Sequence, residues 1–130
     1  MSSIFFIMKP ILPSFVAQEE DDYKLVLYLR IPELRVHRSC GRHDKHTVSN
    51  GSHEFIEFQN QSFNFSIKIE NKFYSMSVRR LPDLIEPKHC FVTYEDGGCW
   101  ITLIKLKPIT WMNQICHDLH PGLDILQHDN

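Results

Sequence analysis

The stretch CWITLIKLKPITW, residues 99–111, decides the fold. Its first half reads as a strand, because Ile101 and Leu103 alternate with Trp100, Thr102 and Ile104, and successive strand side chains point to opposite faces. With Ile101 and Leu103 turned to a core, Trp100 faces outward with Ile104 beside it. The second half is unusual. Lys105 and Lys107 flank Leu106, Pro108 ends any ladder because it has no N–H to donate, and Trp111 follows. A last strand must be tied down, since an open edge invites pairing with other chains. The spacing predicts that Trp111 folds back as a lid over the sandwich end, burying about 200 Å² of aromatic surface. It predicts that Lys105 lays its stem on apolar neighbours while its ammonium stays in water.

The same period of two runs outward through the chain. YKLVLYLRI (23–31) sets Leu25, Leu27, Leu29 and Ile31 against Lys24, Val26, Tyr28 and Arg30. SFNFSIKI (62–69) sets Phe63, Phe65, Ile67 and Ile69 against Asn64, Ser66 and Lys68, and FYSMSVRR (73–80) sets Tyr74, Met76 and Val78 against Ser75, Ser77 and Arg79. Such alternation marks half-buried antiparallel strands. Turn-like segments separate them: EEDD at 19–22, QNQ at 59–61, ENK at 70–72 and EDGG at 95–98, where Gly97 and Gly98 suit a tight hairpin. Pro82 and Pro87 bracket DLIE, which reads as a short crossover or 3₁₀ segment. The pattern predicts an all-β, seven-stranded antiparallel sandwich with strands at 14–18, 23–31, 54–58, 62–69, 73–79, 89–94 and 99–106.

Residues 32–52 break this rhythm. PELRVHRSCGRHDKHTVSNGS is polar and histidine-rich, ends in turn chemistry at Asn50-Gly51, and reads mostly as a long loop inserted after the second long strand, with room for a short strand at Leu34–Val36. His37, Cys40, His43 and His46 recur every third residue and His53 follows. Cysteine and histidine are zinc-ligand types, yet an even spacing of three does not supply the two separated doublets of known zinc sites, so no metal is expected. Arg35, Arg38, Arg42 and Lys45 face one acid, Asp44, and form a possible basic patch able to contact phosphates or an acidic protein tail; a solvated loop is the simpler reading.

Composition bounds what remains. With 130 residues, the chain is read as a single domain over 1–130, its core about 13–115 and its tail 116–130. A net charge of −2 from 14 basic and 16 acidic residues makes nucleic acid an improbable partner. The four cysteines, Cys40, Cys90, Cys99 and Cys116, form no C-x-x-C pair, which points to free thiols in a reducing, cytoplasmic setting. Five consecutive apolar residues, Ile4–Met8, are too few for a signal sequence or a membrane span. No nucleophile elbow, phosphate loop or H-E-x-x-H motif is present, so neither an enzyme nor a cofactor is expected.

The ordered pieces resemble the CS domain, the HSP20-like β-sandwich shared by several co-chaperones of the 90-kDa heat-shock chaperone. Members begin with a Trp/Phe-x-Q segment, an acidic turn and a long alternating strand, to which FVAQEEDDYKLVLYL is similar with Phe15 in the aromatic place. They continue into a tyrosine-bearing strand and crossover, here FYSMSVRRLPDLIEPKHC, and close on L-x-K with a tryptophan six residues later, here Leu103, Lys105 and Trp111. PITW is similar to the ubiquitin-ligase-associated adaptor branch. The resemblance implies a non-enzymatic protein-interaction module that binds the 90-kDa chaperone, or a scaffold domain of a larger protein such as a Tudor-domain RNA-silencing factor. The adaptor branch carries contact lysine and glutamate where this chain has Gly98 and Trp100. The expected partner surface is therefore Trp100 and Ile104, rimmed by Lys105 and Lys107.

Overall fold

The computed structural model describes residues 9–38, 46–111 and 124–125, with the backbone alone at 38, 46, 124 and 125. Among them lie eleven strands: β1 (Pro10–Ile11), β2 (Ser14–Asp21), β3 (Lys24–Arg30), β4 (Val36–Arg38), β5 (His46–Val48), β6 (Gly51–Gln59), β7 (Ser62–Ile69), β8 (Lys72–Arg80), β9 (Phe91–Glu95), β10 (Gly98–Ile104) and β11 (Asp124–Ile125). The helical content of these residues is one 3₁₀ turn at Pro87–His89. A strand overlaps each of the expected segments, β7 with the same ends and the others with shifted ones, but the described residues hold eleven strands, not seven.

Two sheets pack face to face. The first runs β1-β8-β7-β6, with β11 also on β8; the second runs β2-β3-β10-β9. Period-two alternation builds the layer between them. Leu25, Leu27 and Leu29 of β3, Ile101 and Leu103 of β10, Phe63, Ile67 and Ile69 of β7 and Met76 of β8 are all fully buried. Intervening residues of β7 and β8 face out, so each strand contributes one apolar row, as half-buried antiparallel strands do. Phe65 and Tyr94 meet across the layer with ring centroids 6.5 Å apart, which places β9 under the β6–β7 side.

The crossover between the sheets is clamped at both ends. The backbone N–H groups of Leu81 and Ile85 donate to the carbonyls of Gln61 and Asn60 at 2.8 Å each. Beyond them, Glu86 N–H donates to the Ile104 carbonyl at 2.8 Å and Leu106 N–H to the Leu84 carbonyl at 3.0 Å. The 3₁₀ turn follows where Pro87 supplies a helical φ and no donor is needed.

The described ends of the insertion hold more structure than the sequence suggests. β4 and β5 form an antiparallel hairpin, Val36 opposite Val48 and Arg38 opposite His46, so the added strand lies at 36–38 and not at Leu34–Val36. Leu34 instead turns inward and is fully buried. Its carbonyl accepts from Gly97 N–H and the Gly97 carbonyl accepts from Ile31 N–H, both at 2.9 Å. Asn50 closes the base: its amide donates to the Glu33 carbonyl at 2.7 Å and its side-chain oxygen accepts from Arg35 N–H at 2.9 Å. The polar residues that suggest a loop are here the backbone partners that hold its base shut.

Gly98 opens β10 where two strands come close. A Cβ there would lie 2.5 Å from the Leu29 carbonyl oxygen and 2.4 Å from the Tyr28 hydroxyl. A side chain could move aside, but the backbone oxygen of a paired strand cannot move cheaply. Gly98→Ala is expected to cost about 1–3 kcal/mol as an overpacking change, read as a lower urea midpoint at unchanged slope.

Candidate functional site

The L-x-K-P-x-x-W segment closes on a buried ion pair. Ile101, Leu103 and Lys105 share one phase, so Lys105 follows two core residues inward and is fully buried. Its ammonium bonds the Glu19 carboxylate and donates to the Ile109 carbonyl at 2.8 Å. The Trp111 ring centroid lies 5.4 Å from Lys105 Nζ, within cation–π range. Glu19 gathers the rest: Thr110 hydroxyl donates at 2.6 Å and Trp111 N–H at 2.9 Å. Lys105 N–H donates to the Tyr23 carbonyl at 2.7 Å, and an isolated bridge pairs Lys105 with Ile85. Trp111 is 1% exposed, packed on the core.

This geometry corrects one expectation. Lys105 is not a wet edge residue, and it cannot rim a partner surface, because its charge is spent on Glu19 inside the protein. Burial alone would raise the Glu19 carboxyl; bonds from Lys105, Thr110 and Trp111 N–H, with the ammonium charge, outweigh it and bring it to about 2. Sequence reading missed Glu19 by assigning it to an acidic turn. The signal was available: Phe15, Ala17 and Glu19 share a phase, as do Leu103 and Lys105, so two opposite charges point into the same sandwich.

A second, shallower carboxylate cluster braces the insertion. Glu33 accepts from Lys72 at 2.7 Å and from the Tyr74 hydroxyl at 2.5 Å. The Lys72 and Tyr74 bonds hold the Glu33 carboxyl down at about 2. Burial, then Glu33 itself, pushes the Tyr74 hydroxyl up to about 12.

The outward face of the second sheet is the other notable surface. Register aligns Val16, Tyr28, Trp100 and Thr93 in one row, and Gln18, Val26, Thr102 and Phe91 in the next. Trp100 is 36% exposed, Val16 64% and Phe91 51%. Trp100 is held: its ring sits 4.7 Å from Tyr28 and its indole N–H donates to Glu95 at 2.8 Å. Ile104 is partly buried, and Lys107 is exposed beyond the strand end.

Of the basic patch, Arg35 spends its guanidinium locally, donating to the Pro32 and Leu34 carbonyls at 2.9 and 2.8 Å. Arg42 and Lys45, like Cys40 and His43, lie outside the described residues, as do the side chains of Arg38 and His46. Among the described residues no three His, Cys, Asp or Glu are placed to hold a metal ion, and no helix is long and apolar enough to cross a membrane. Cys90 and Cys99 are free thiols; burial pushes the Cys99 thiol up to about 12, away from nucleophilic chemistry. Compared with models of protein families and with curated proteins, the chain has no match.

Two measurements test the latch. Lys105→Met leaves the Glu19 carboxylate without its cation and is expected to cost about 3–5 kcal/mol, while adding Glu19→Leu should recover part of that loss. Glu19 and Glu33 both fall from 4.5 to about 2 on folding, so the unfolded chain binds more protons in between. Their contribution is complete above pH 4.5 and is lost as pH falls toward 2. Melting temperature should drop steeply through that window, and less steeply in Glu19→Gln, which begins from a lower value at neutral pH.

Proposed function

We propose that this chain is a non-enzymatic protein-interaction module, a CS-type sandwich of seven long strands that binds a protein partner in the cytoplasm. The observation that carries the reading is Trp100, 36% exposed at the middle of a sheet face and fixed there by Tyr28 and Glu95. Interface hot spots are enriched in tryptophan and tyrosine and sit near the centre of the contact. A ring already held in one orientation loses less entropy on docking. Ile104, Phe91 and Val16 extend the apolar area, and Lys107 supplies charge at its margin.

Two partner classes remain: the 90-kDa heat-shock chaperone, and a non-chaperone partner of a scaffold protein such as a Tudor-type RNA-silencing factor. The face favours the second. Gly98 and Trp100 replace the charged contact residues of the adaptor branch, and the lysine of L-x-K is buried on Glu19. An apolar anchor suits an apolar or aliphatic partner patch better than an acidic one.

Trp100→Ala should weaken partner binding by about thirtyfold or more, the loss of at least 2 kcal/mol expected of a hot spot. Its stability should fall by only about 1 kcal/mol, the worth of an aromatic pair. Titration calorimetry with the purified 90-kDa chaperone separates the classes. Binding by the parent that Trp100→Ala abolishes would support the co-chaperone reading, and no binding by the parent would leave the scaffold reading. If Trp100→Ala instead left capture of every partner intact, this face would not be the interface.

A further inference from the structure

β2 is the outer strand of the second sheet, paired with β3 along one side from Ser14↔Arg30 to Glu19↔Leu25, with a bulge at Glu20 before Asp21↔Lys24. Among the described residues no strand pairs with its other side. The neighbouring edge of the first sheet, β8, is covered by β1 and β11. β2 therefore presents unpaired backbone groups where its neighbour does not, and such an edge is a template for another strand.

The charges along β2 choose that strand. Arg30 stands beside Ser14 at one end of β2, and among the described residues it has no ion-pair partner. Glu20, Asp21 and Asp22 stand at the other end, about 20 Å away at strand rise. Among the described residues Glu20 meets one cation, the half-buried Lys24, at 3.8 Å. Between the ends, Val16 is 64% exposed. A depression of about 180 Å³ lies against Ser14, Phe15, Val16, Tyr28 and Arg30. Consecutive strand residues point to opposite faces, so a depression touching Ser14, Phe15 and Val16 together sits over the edge of the strand itself.

We propose that this edge is occupied by the β2 of a second copy of the chain, antiparallel about a twofold axis at Ala17. Opposed residues of an antiparallel pair share a face, so Val16 would oppose the partner's Gln18, and Ser14 would lie across from the exposed Glu20 at the partner's bulge. Serine is small enough for Arg30 to reach across to that Glu20. The partner's Gln18 and Glu20 stems would fill the depression beside Tyr28. The twofold repeats both contacts, as a self-complementary interface requires. Parallel pairing would instead set the two acidic ends against each other, a like-charge arrangement that destabilises. The result is one continuous eight-stranded sheet. This contact shares Val16 and Tyr28 with the margin of the Trp100 surface but makes no use of Trp100 itself.

Sedimentation equilibrium of the full chain over a wide range of concentrations tests the pairing. The parent should show a monomer–dimer equilibrium that weakens in high salt. Arg30→Glu and Glu20→Arg should each weaken dimerisation by about tenfold or more, with melting of the monomer little changed because both side chains are exposed. The combined Arg30→Glu/Glu20→Arg variant should restore dimerisation to near the parent value. A chain monomeric at every concentration would overturn the proposal. So would a dimer indifferent to both single variants, or a double variant no better than the singles. Trp100→Ala should leave the dimer intact, so loss of the pairing and loss of the partner surface read out separately.

Discussion

The ion pair between Lys105 and Glu19 is the constraint on which the closed end of this sandwich depends. A fully buried ammonium is tolerable only if its charge is met and its donors are used. Here one carboxylate and one carbonyl do both, and they come from β2 and from the segment after β10. Glu19 then has acceptor capacity left, which it gives to Thr110 and to the backbone of Trp111. That is why the tryptophan stands six residues beyond the lysine. The chain must pass Pro108, turn, and bring its N–H back to the carboxylate before the indole can lie on the core. Removing Lys105 or Glu19 leaves the other charge without its counter-ion at an apolar layer, so the two act as a unit.

Much of the architecture was legible because alternation is a local property. Each of β3, β7, β8 and β10 announces its buried face within its own residues, without knowledge of its neighbours. What alternation cannot express is a charge that belongs inside. Lys105 continues the inward row of Ile101 and Leu103, and Glu19 that of Phe15 and Ala17. Each looks like a surface residue by type and a core residue by phase. Taken singly, type is the better guide, since lysine and glutamate are rarely fully buried. Two opposite charges with inward phase at one end of a sandwich reverse that judgement, because each removes the penalty of the other.

The insertion taught the complementary lesson. Its polarity suggested a solvated loop, and its ends are instead fastened by the polar groups that gave that impression. Asn50 holds two backbone groups of the 33–35 segment, Asp96 accepts from Val36 N–H at 2.9 Å, and Glu33 joins Lys72 to Tyr74. Leu34 is the apolar peg among them. A single buried leucine in a charged stretch carries no periodicity, so no pattern over a window would have found it. Hydrogen-bond accounting for the backbone, which must be satisfied wherever it is buried, is what such segments obey.

β10 also separates an inward row from an outward one within seven residues. Cys99, Ile101 and Leu103 face the core, and the strand leads directly into Lys105 and the latch. Trp100 and Ile104 lie on the opposite phase and contribute little to either. Gly98, Tyr28, Trp100 and Glu95 form one connected set on that outward side: the glycine leaves room for the tyrosine, the tyrosine supports the indole, and the glutamate fixes its N–H. None of the four is part of the buried ion pair. Substitutions on the outward phase therefore leave the inward phase and the Lys105–Glu19–Trp111 closure untouched.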